Sequence, residues 1–336
     1  MSRRSIKIVV DDENISNTTQ FYAGPQVRLA TATDVVFLPH RRLLVSHLAG
    51  QTLHLVQRRR FSDEYRVLDT VITEAAGQPT INDLLSYNGK GVVAVSNCRV
   101  PSVSLYRVGR STLTFLREIE IPEKKPGFTH GVEFTPDGRH VCIVNSGGTC
   151  RVRIHEVGSG DEVFTFELAG WRPKDATYLD DNHLILPLCD GSPTSEAGEQ
   201  YNSRIAVVRV DLDRPGFQVV AYADLPGAHV DGVFYFDGHV AVADQTNDLV
   251  RFYKVDRRSI EQVSTVSGID FPHGVCFDRH KVGVTSYGDS SLNIFPRGTT
   301  HFVPDITTTL RRDPAASAHL DAQRVAFSSM LEMADT

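Results

Sequence analysis

Residues 231–255, DGVFYFDGHVAVADQTNDLVRFYKV, decide the fold. The stretch GVFYF is apolar throughout and ends at Asp237-Gly238. That pair suits a tight hairpin, because both central residues of a type I′ turn need positive φ. HVAVAD then alternates as a half-buried strand does, and a polar loop leads into a third strand, LVRFYKV. Outside this stretch the same phrase recurs: a polar head, an apolar strand, a turn, a second strand. It reads DVVFLPHRRLLVSH (34–47), DLLSYNGKGVVAVSN (83–97), HGVEFTPDGRHVCIVN (130–145), DATYLDDNHLILPLC (175–189) and HGVCFDRHKVGVTSY (273–287). The six heads are Asp34, Asp83, His130, Asp175, Asp231 and His273. Their spacing of roughly 40–55 residues is that of a propeller or solenoid array.

A third strand follows in each repeat: TLHLVQ, SVSLYRV, CRVRIHEV, SRIAVVRV, DLVRFYKV and SLNIF. A more polar fourth strand follows in five of them: YRVLDTVI, LTFLREIEI, EVFTFEL, FQVVAYADL and IEQVSTVS. Four short antiparallel strands per repeat predict an all-β fold, a six-bladed β-propeller spanning residues 1–310. The innermost strands, covered on both faces, read apolar, and the outer ones read polar. The sixth blade needs an outer strand; SIKIVV (5–10) would supply it from the N-terminus and close the ring, with THFV (300–303) as the rival. GSPTSEAGEQYN (191–202) is a polar insertion within blade four, and residues 311–336 form a tail with a short helix expected on the rim.

The charge balance, 35 basic against 41 acidic residues, offers no basic stripe for nucleic acid. The run Arg58-Arg59-Arg60 reads as a solvated turn. Five cysteines without a CxxC pair argue against a disulfide framework or a zinc knuckle. The N-terminus lacks a signal-peptide pattern and no apolar run reaches membrane-spanning length, so a soluble cytoplasmic protein is expected.

Residues 231–255 resemble an NHL-type repeat, with its Asp-Gly turn, Val-x-Val-Ala-Asp strand and Arg-containing third strand. The resemblance covers about residues 30–300 and implies a propeller of the group that includes regucalcin/gluconolactonase-like lactonases, strictosidine-synthase-like enzymes, the streptogramin lyase and the peptide-amidating lyase. In the amidating lyase, histidines in a Pro-His-apolar setting at strand heads bind zinc. Pro272-His273-Gly274-Val275 is similar to that setting, and Thr129-His130-Gly131-Val132 resembles it without the proline. The rest of that enzyme's catalytic set has no match here, and no glutamate stands at a strand head as a gluconolactonase-type ligand set would need.

Ring closure would gather the six heads at one mouth of the central channel. Four carboxylates there would repel one another unless their pKa values rise, backbone amides hold them, or a cation sits among them. The metal candidates are therefore His130, His273, Asp34, Asp83 and Asp175, with a divalent ion as the cofactor. Two imidazoles with carboxylates suit zinc, manganese or iron; carboxylates with asparagine and water suit calcium. Against this stands a purely structural use, in which each Asp pins the neighbouring blade through backbone N–H groups. His47, His229 and Asp231 are candidate proton-transfer groups. Asn97, Arg99, Asn145, Trp171, Arg172, Asp244 and Tyr287 are candidate substrate contacts. The expectation is a metal-dependent hydrolase (lactonase- or esterase-like) or lyase/isomerase acting on a small-molecule substrate. The alternative is a non-catalytic propeller that binds a protein or peptide on its top face.

Overall fold

The computed structural model describes residues 32–47, 51–60, 65–98, 100–121, 129–146, 150–190, 202–288 and 291–299. The segments 5–10, 300–303, 191–201 and the tail, to which closure, insertion and helix were assigned, lie outside these residues, as does Arg99. All regular structure among the described residues is strand. It forms six successive antiparallel meanders, each pairing its strands in chain order. Their inner strands are Ala32–Leu38, Asn82–Tyr87, Thr129–Phe134, Thr177–Asp180 (preceded by Trp171–Pro173), Val230–Phe236 and Pro272–Phe277. Blades one, two, three and five have four strands; blade four has five because its inner strand is split, and three strands of blade six are described. This is the expected six-bladed propeller.

The core is distributed between the blades. Six apolar clusters each join one blade to the next: Leu44 and Leu55 to Val93 and Tyr106, Ala94 and Leu105 to Val132 and Ile143, Val144 and Ile154 to Leu184 and Leu186. The ring continues with Ile185 and Val207 to Val233 and Val242, then Ala241 and Phe252 to Val275 and Phe277. The last cluster joins Cys276, Leu292 and Ile294 of blade six to Val35, Val45 and Val56 of blade one. Closure is thus made in the core. It is reinforced at the axis, where the carbonyl of Thr33 accepts from the Thr285 hydroxyl (2.7 Å) and from His273 Nδ1 (2.8 Å).

Every unsplit inner strand carries a register shift at its head. Between Asn82↔Asn97 and Leu85↔Val95, for example, Asp83 and Leu84 oppose Ser96 alone. Such a bulge turns a side chain out of the pleat's alternation. Side-chain hydroxyls from the facing strand take up the backbone groups it frees: Ser46 accepts from Asp34 N–H, Ser96 from Leu84 N–H and Thr285 from Gly274 N–H.

Blades approach one another most closely at the residue after the bulged head. A Cβ on Gly274 would stand 2.6 Å from Asp34 Cα, and one on Gly131 2.5 Å from Asp175 Cα. Backbone cannot yield as a flexible side chain does, so Gly274→Ala and Gly131→Ala are expected to destabilise the fold by about 1–3 kcal/mol each, as overpacking does. Gly238→Ala in an open hairpin turn, where only the positive φ of 76° opposes a side chain, should cost no more than about 1 kcal/mol. Denaturant unfolding of the three variants checks the ranking.

Candidate functional site

The bulge register fixes which residue faces the axis. Leu85, Val132, Val233 and Val275 are the first paired residues beyond their bulges, and Val35 is their counterpart in blade one, where Asp34 N–H bonds to Ser46 as Leu84 N–H bonds to Ser96 and Gly274 N–H to Thr285. Counting back two from each gives Thr33, Asp83, His130, Asp231 and His273. In blade one the axial residue is therefore Thr33, and Asp34 falls one place further on, beside Leu84, Gly131, Gly232 and Gly274. Blade four behaves like blade one. Asp34 accepts N–H of Val35 (2.7 Å) and of Leu85 in the next blade (2.8 Å); Asp175 accepts N–H of Ala176 and of Val233 in its next blade (2.8 Å). Asp175 is thus the counterpart of Asp34, and Lys174 holds the axial place. The six axial residues in ring order are Thr33, Asp83, His130, Lys174, Asp231 and His273.

The structure accordingly does not bring Asp34 and Asp175, expected as metal ligands, into the channel cluster. Both pin adjacent blades. A shift of one residue along a strand moves a side chain to the other face, and aligning the repeats on aspartate hid that shift. Burial pushes both carboxyls well above their ordinary range, while the amide bonds pull them back.

Asp83, His130, Asp231 and His273 meet on the axis, each 0–3 % exposed. His130 Nε2 lies 3.5 Å from Asp83 Oδ2 and 3.3 Å from Asp231 Oδ1; His273 Nε2 lies 3.4 Å from Asp83 Oδ1 and 3.5 Å from Asp231 Oδ2. One ligand atom each from Asp83, His130 and His273 falls within 4.8 Å of the others. Asp83 Oδ1, Asp231 Oδ1 and His273 Nε2 are buried without a hydrogen bond. His273 Nδ1 faces the Thr33 carbonyl at 2.8 Å and must carry a proton to donate there. Its Nε2 therefore presents a lone pair to two carboxylates unless a second proton or a cation stands between them.

Flanking groups differ in the two halves of the cluster. Asp83 Oδ2 accepts from the Cys98 thiol (3.4 Å), and Asp231 Oδ2 from Gln245 Nε2 (2.6 Å). Burial works to raise the Asp231 carboxyl, but the charges of His273, His130 and Lys174 outweigh it and hold Asp231 below its ordinary value. Burial lowers His130 against the pull of Asp83 and Asp231. Half-buried His229 is pushed down to about 3, first by burial and then by Lys174. Tyr287 stacks on His273 with ring centres 4.1 Å apart, and burial raises its phenol, with Asp83 and Asp231 adding to the effect.

The remaining candidates lie elsewhere. His47 meets His54 of its own third strand edge-on at 4.6 Å. Asn97 donates to Ser102 and Ser104, and Asp244 is held by Asn247 and Arg251, so both tie second strands to neighbouring chain. Asn145 is fully buried at the paired position opposite Thr129, one residue before His130. Trp171 carries the Arg204 guanidinium on its face, 4.5 Å from the ring centre, and Arg172 pairs with Cys189 in the strand next to it. The arginine run Arg58-Arg59-Arg60 lines a cavity of about 520 Å³ with Arg41 and Arg66 at the other end of blade one.

Sequence reasoning missed two groups, Lys174 and Glu133. Lys174 is 7 % exposed. The line-up TDV, DLL, HGV, KDA, DGV, HGV, read by the Asp or Gly that fills the second column in five of the six, would have placed it. Glu133 lies half-buried deeper in the channel. It accepts from Ser86 (2.5 Å) and Thr177 (3.2 Å) and abuts a cavity of about 280 Å³ at the far end. Burial raises its carboxyl to about 7.

No protein-family model matches the chain, and no curated protein matches it. Solved structures that resemble it are propellers of differing roles. They include a protein from Lactobacillus plantarum (15% identity, TM-score 0.56, covering 83% of this chain and 82% of that one). The Kuenenia stuttgartiensis hydrazine synthase is similar at 13% identity and TM-score 0.56 (81% and 97% covered). The Myceliophteria thermophila Cps50 (Swd1) beta-propeller domain is similar at 12% identity and TM-score 0.54 (79% and 96%). Likeness at this level shows the propeller fold. No helix among the described residues is long and apolar enough to cross a membrane.

Two expectations follow. Asp34→Ala and Asp175→Ala strand buried amides and should each cost about 1–3 kcal/mol in denaturant unfolding. Glu133 binds its proton more tightly folded, at about 7, than at its ordinary 4.5, so its contribution favours the fold at low pH and is lost as pH rises through about 7. Wild type should therefore lose on the order of 3 kcal/mol relative to Glu133→Gln between those two pH values. A constant difference across that range would show that Glu133 does not titrate this way.

Proposed function

We propose that this protein is a metal-dependent propeller enzyme, with a divalent cation held on the axis by Asp83, His130, Asp231 and His273. The carrying observation is the spacing of the four groups. Separations of 3.3–3.5 Å between histidine nitrogens and carboxylate oxygens are long for charge-assisted hydrogen bonds. Ligand atoms about 2.0–2.1 Å from a tetrahedral ion lie about 3.3–3.4 Å apart; the histidine–carboxylate separations are close to that, with each carboxylate turning a different oxygen to each histidine, and one ligand atom each from Asp83, His130 and His273 lies within 4.8 Å of the others. Two imidazoles with two carboxylates favour zinc, manganese or iron(II) over calcium. The NHL-like repeat phrase and the Pro272-His273 setting support the same reading.

The cation would polarise a carbonyl or leaving oxygen, which suits hydrolysis of an ester or lactone, or elimination from a small organic molecule. His229, kept neutral and half-buried beside the cluster, offers a hydrogen-bonding imidazole to a bound substrate. Tyr287 backs His273 and fixes its ring plane.

Protein purified without added metal is expected to carry about one divalent ion per chain by elemental analysis, and chelation should lower its thermal midpoint. His130→Ala and His273→Ala should lose the ion while keeping the strand signal in circular dichroism; Asp34→Ala should keep it. A metal-free protein whose melting is indifferent to chelator and to zinc, manganese and iron(II) would refute the proposal.

A further inference from the structure

We infer that the substrate is an anion, bound through a carboxylate or similar oxyanion by Lys174; this inference rests on the metal reading of the axial site. Lys174 is the axial residue of blade four, between His130 of blade three and Asp231 of blade five. Its backbone is fixed there: its N–H donates to the Pro187 carbonyl at 2.9 Å, and its own carbonyl lies 3.0 Å from the position a Cβ on Gly131 would take. The side chain is 7 % exposed. Among the described residues its ammonium makes no hydrogen bond and no ion pair within 4 Å, and it keeps some contact with solvent. Its positive charge is nevertheless felt by His130, His229, Asp231 and Cys189, which places it over the cluster.

Charge balance then dictates the ligand. Asp83 and Asp231 carry two negative charges, which a divalent cation neutralises when both imidazoles ligate as neutral groups. Lys174 is left as a largely buried cation, in contact with a little solvent, that carries the excess charge. Buried charges are stable when paired, and leaving one unpaired is costly. The axial residue across the ring, Thr33, is neutral and its carbonyl is already occupied by His273 and Thr285. The missing counter-charge is supplied by the ligand. A small molecule with one negative group on Lys174 and a neutral carbonyl or hydroxyl oxygen towards the metal satisfies both demands at once. Neutral esters and lactones lacking an acidic group satisfy only the second.

Oxamate and its neutral isostere oxamide test this, because they share shape and differ by one charge; the carboxylate is also the better metal donor, so the Lys174 variants carry the decision. Isothermal titration of the metal-loaded protein should show oxamate binding about tenfold or more tightly than oxamide. Lys174→Met should bring oxamate down towards the level of oxamide, and Lys174→Arg should restore most of the difference. Metal content and thermal midpoint, read for each variant, confirm that the site is assembled; if Lys174→Met fails to fold, Lys174→Gln replaces it. With metal present, equal affinities for oxamate and oxamide, or unchanged oxamate binding in the folded Lys174 variants, would overturn the anionic substrate and leave the metal centre standing. A wild-type protein that retains no metal would overturn both.

Discussion

The bulge at the head of each inner strand is the constraint on which the site depends. Two residues facing one lift the alternation at a single place, where the strand reaches the axis. The first bulged residue is turned inward and the second is pressed against the next blade. Inward positions therefore accept large polar side chains, such as His130 and Lys174. The positions after them hold glycine at 131, 232 and 274, an aspartate that bonds to the neighbour's amides at 34 and 175, and the buried Leu84 in blade two. Gly274 against Asp34 and Gly131 against Asp175 are complementary pairs, in which the side chain on one blade occupies the space its neighbour leaves.

The repeat made the architecture legible from the sequence, because strand period, turn residues and blade length all pointed the same way. Residues 5–10 and 300–303, the candidates for the sixth blade's outer strand, lie outside the described structure; the closure that is seen uses Thr33, His273 and the core around Cys276. The site was half legible. Asp83, His130, Asp231 and His273 were placed at the mouth because each is the first residue of its bulge. Asp34 and Asp175 share the residue type and the apolar residue that follows, yet a difference of one position decides whether a carboxylate faces the axis or an adjacent backbone. Residue type alone does not reveal that register; the residue after the head helps, since glycine or aspartate stands there in five blades and Leu84 in the other. Glu133 escaped notice because it lies within an apolar strand, where the hydroxyls of Ser86 and Thr177, from two other blades, and the backbone of Tyr178 hold its half-buried carboxyl.

Burial alone would drive every carboxyl in the channel towards its neutral form. Asp34, Asp175 and Glu133 follow that tendency: amides and hydroxyls hold them, and the charges that act on Asp34 and Asp175 are those of other carboxylates. Asp231 departs from it because imidazoles and a lysine surround it. The channel is thus divided along its length. Around the axial heads positive and negative groups interleave; at Glu133, three residues further along the blade-three strand, burial raises the carboxyl. A divalent ion has reason to settle only among the axial heads, where ionised carboxylates and imidazole lone pairs converge.

The ring also reads as one three-blade unit used twice. Asp34 and Asp175 pin in the same way, Asp83 stands opposite Asp231, and His130 stands opposite His273. Symmetric ligands suffice to hold an ion but give a bound molecule no preferred direction. Two places break the repeat at the axis: Thr33 faces Lys174, and Glu133 has Cys276 as its counterpart. The first break is among the axial heads and changes the charge by one unit across the channel. A molecule entering there meets a cation on one side and a saturated carbonyl on the other. Under the proposed metal reading, its orientation would be set by the single lysine that departs from the repeat.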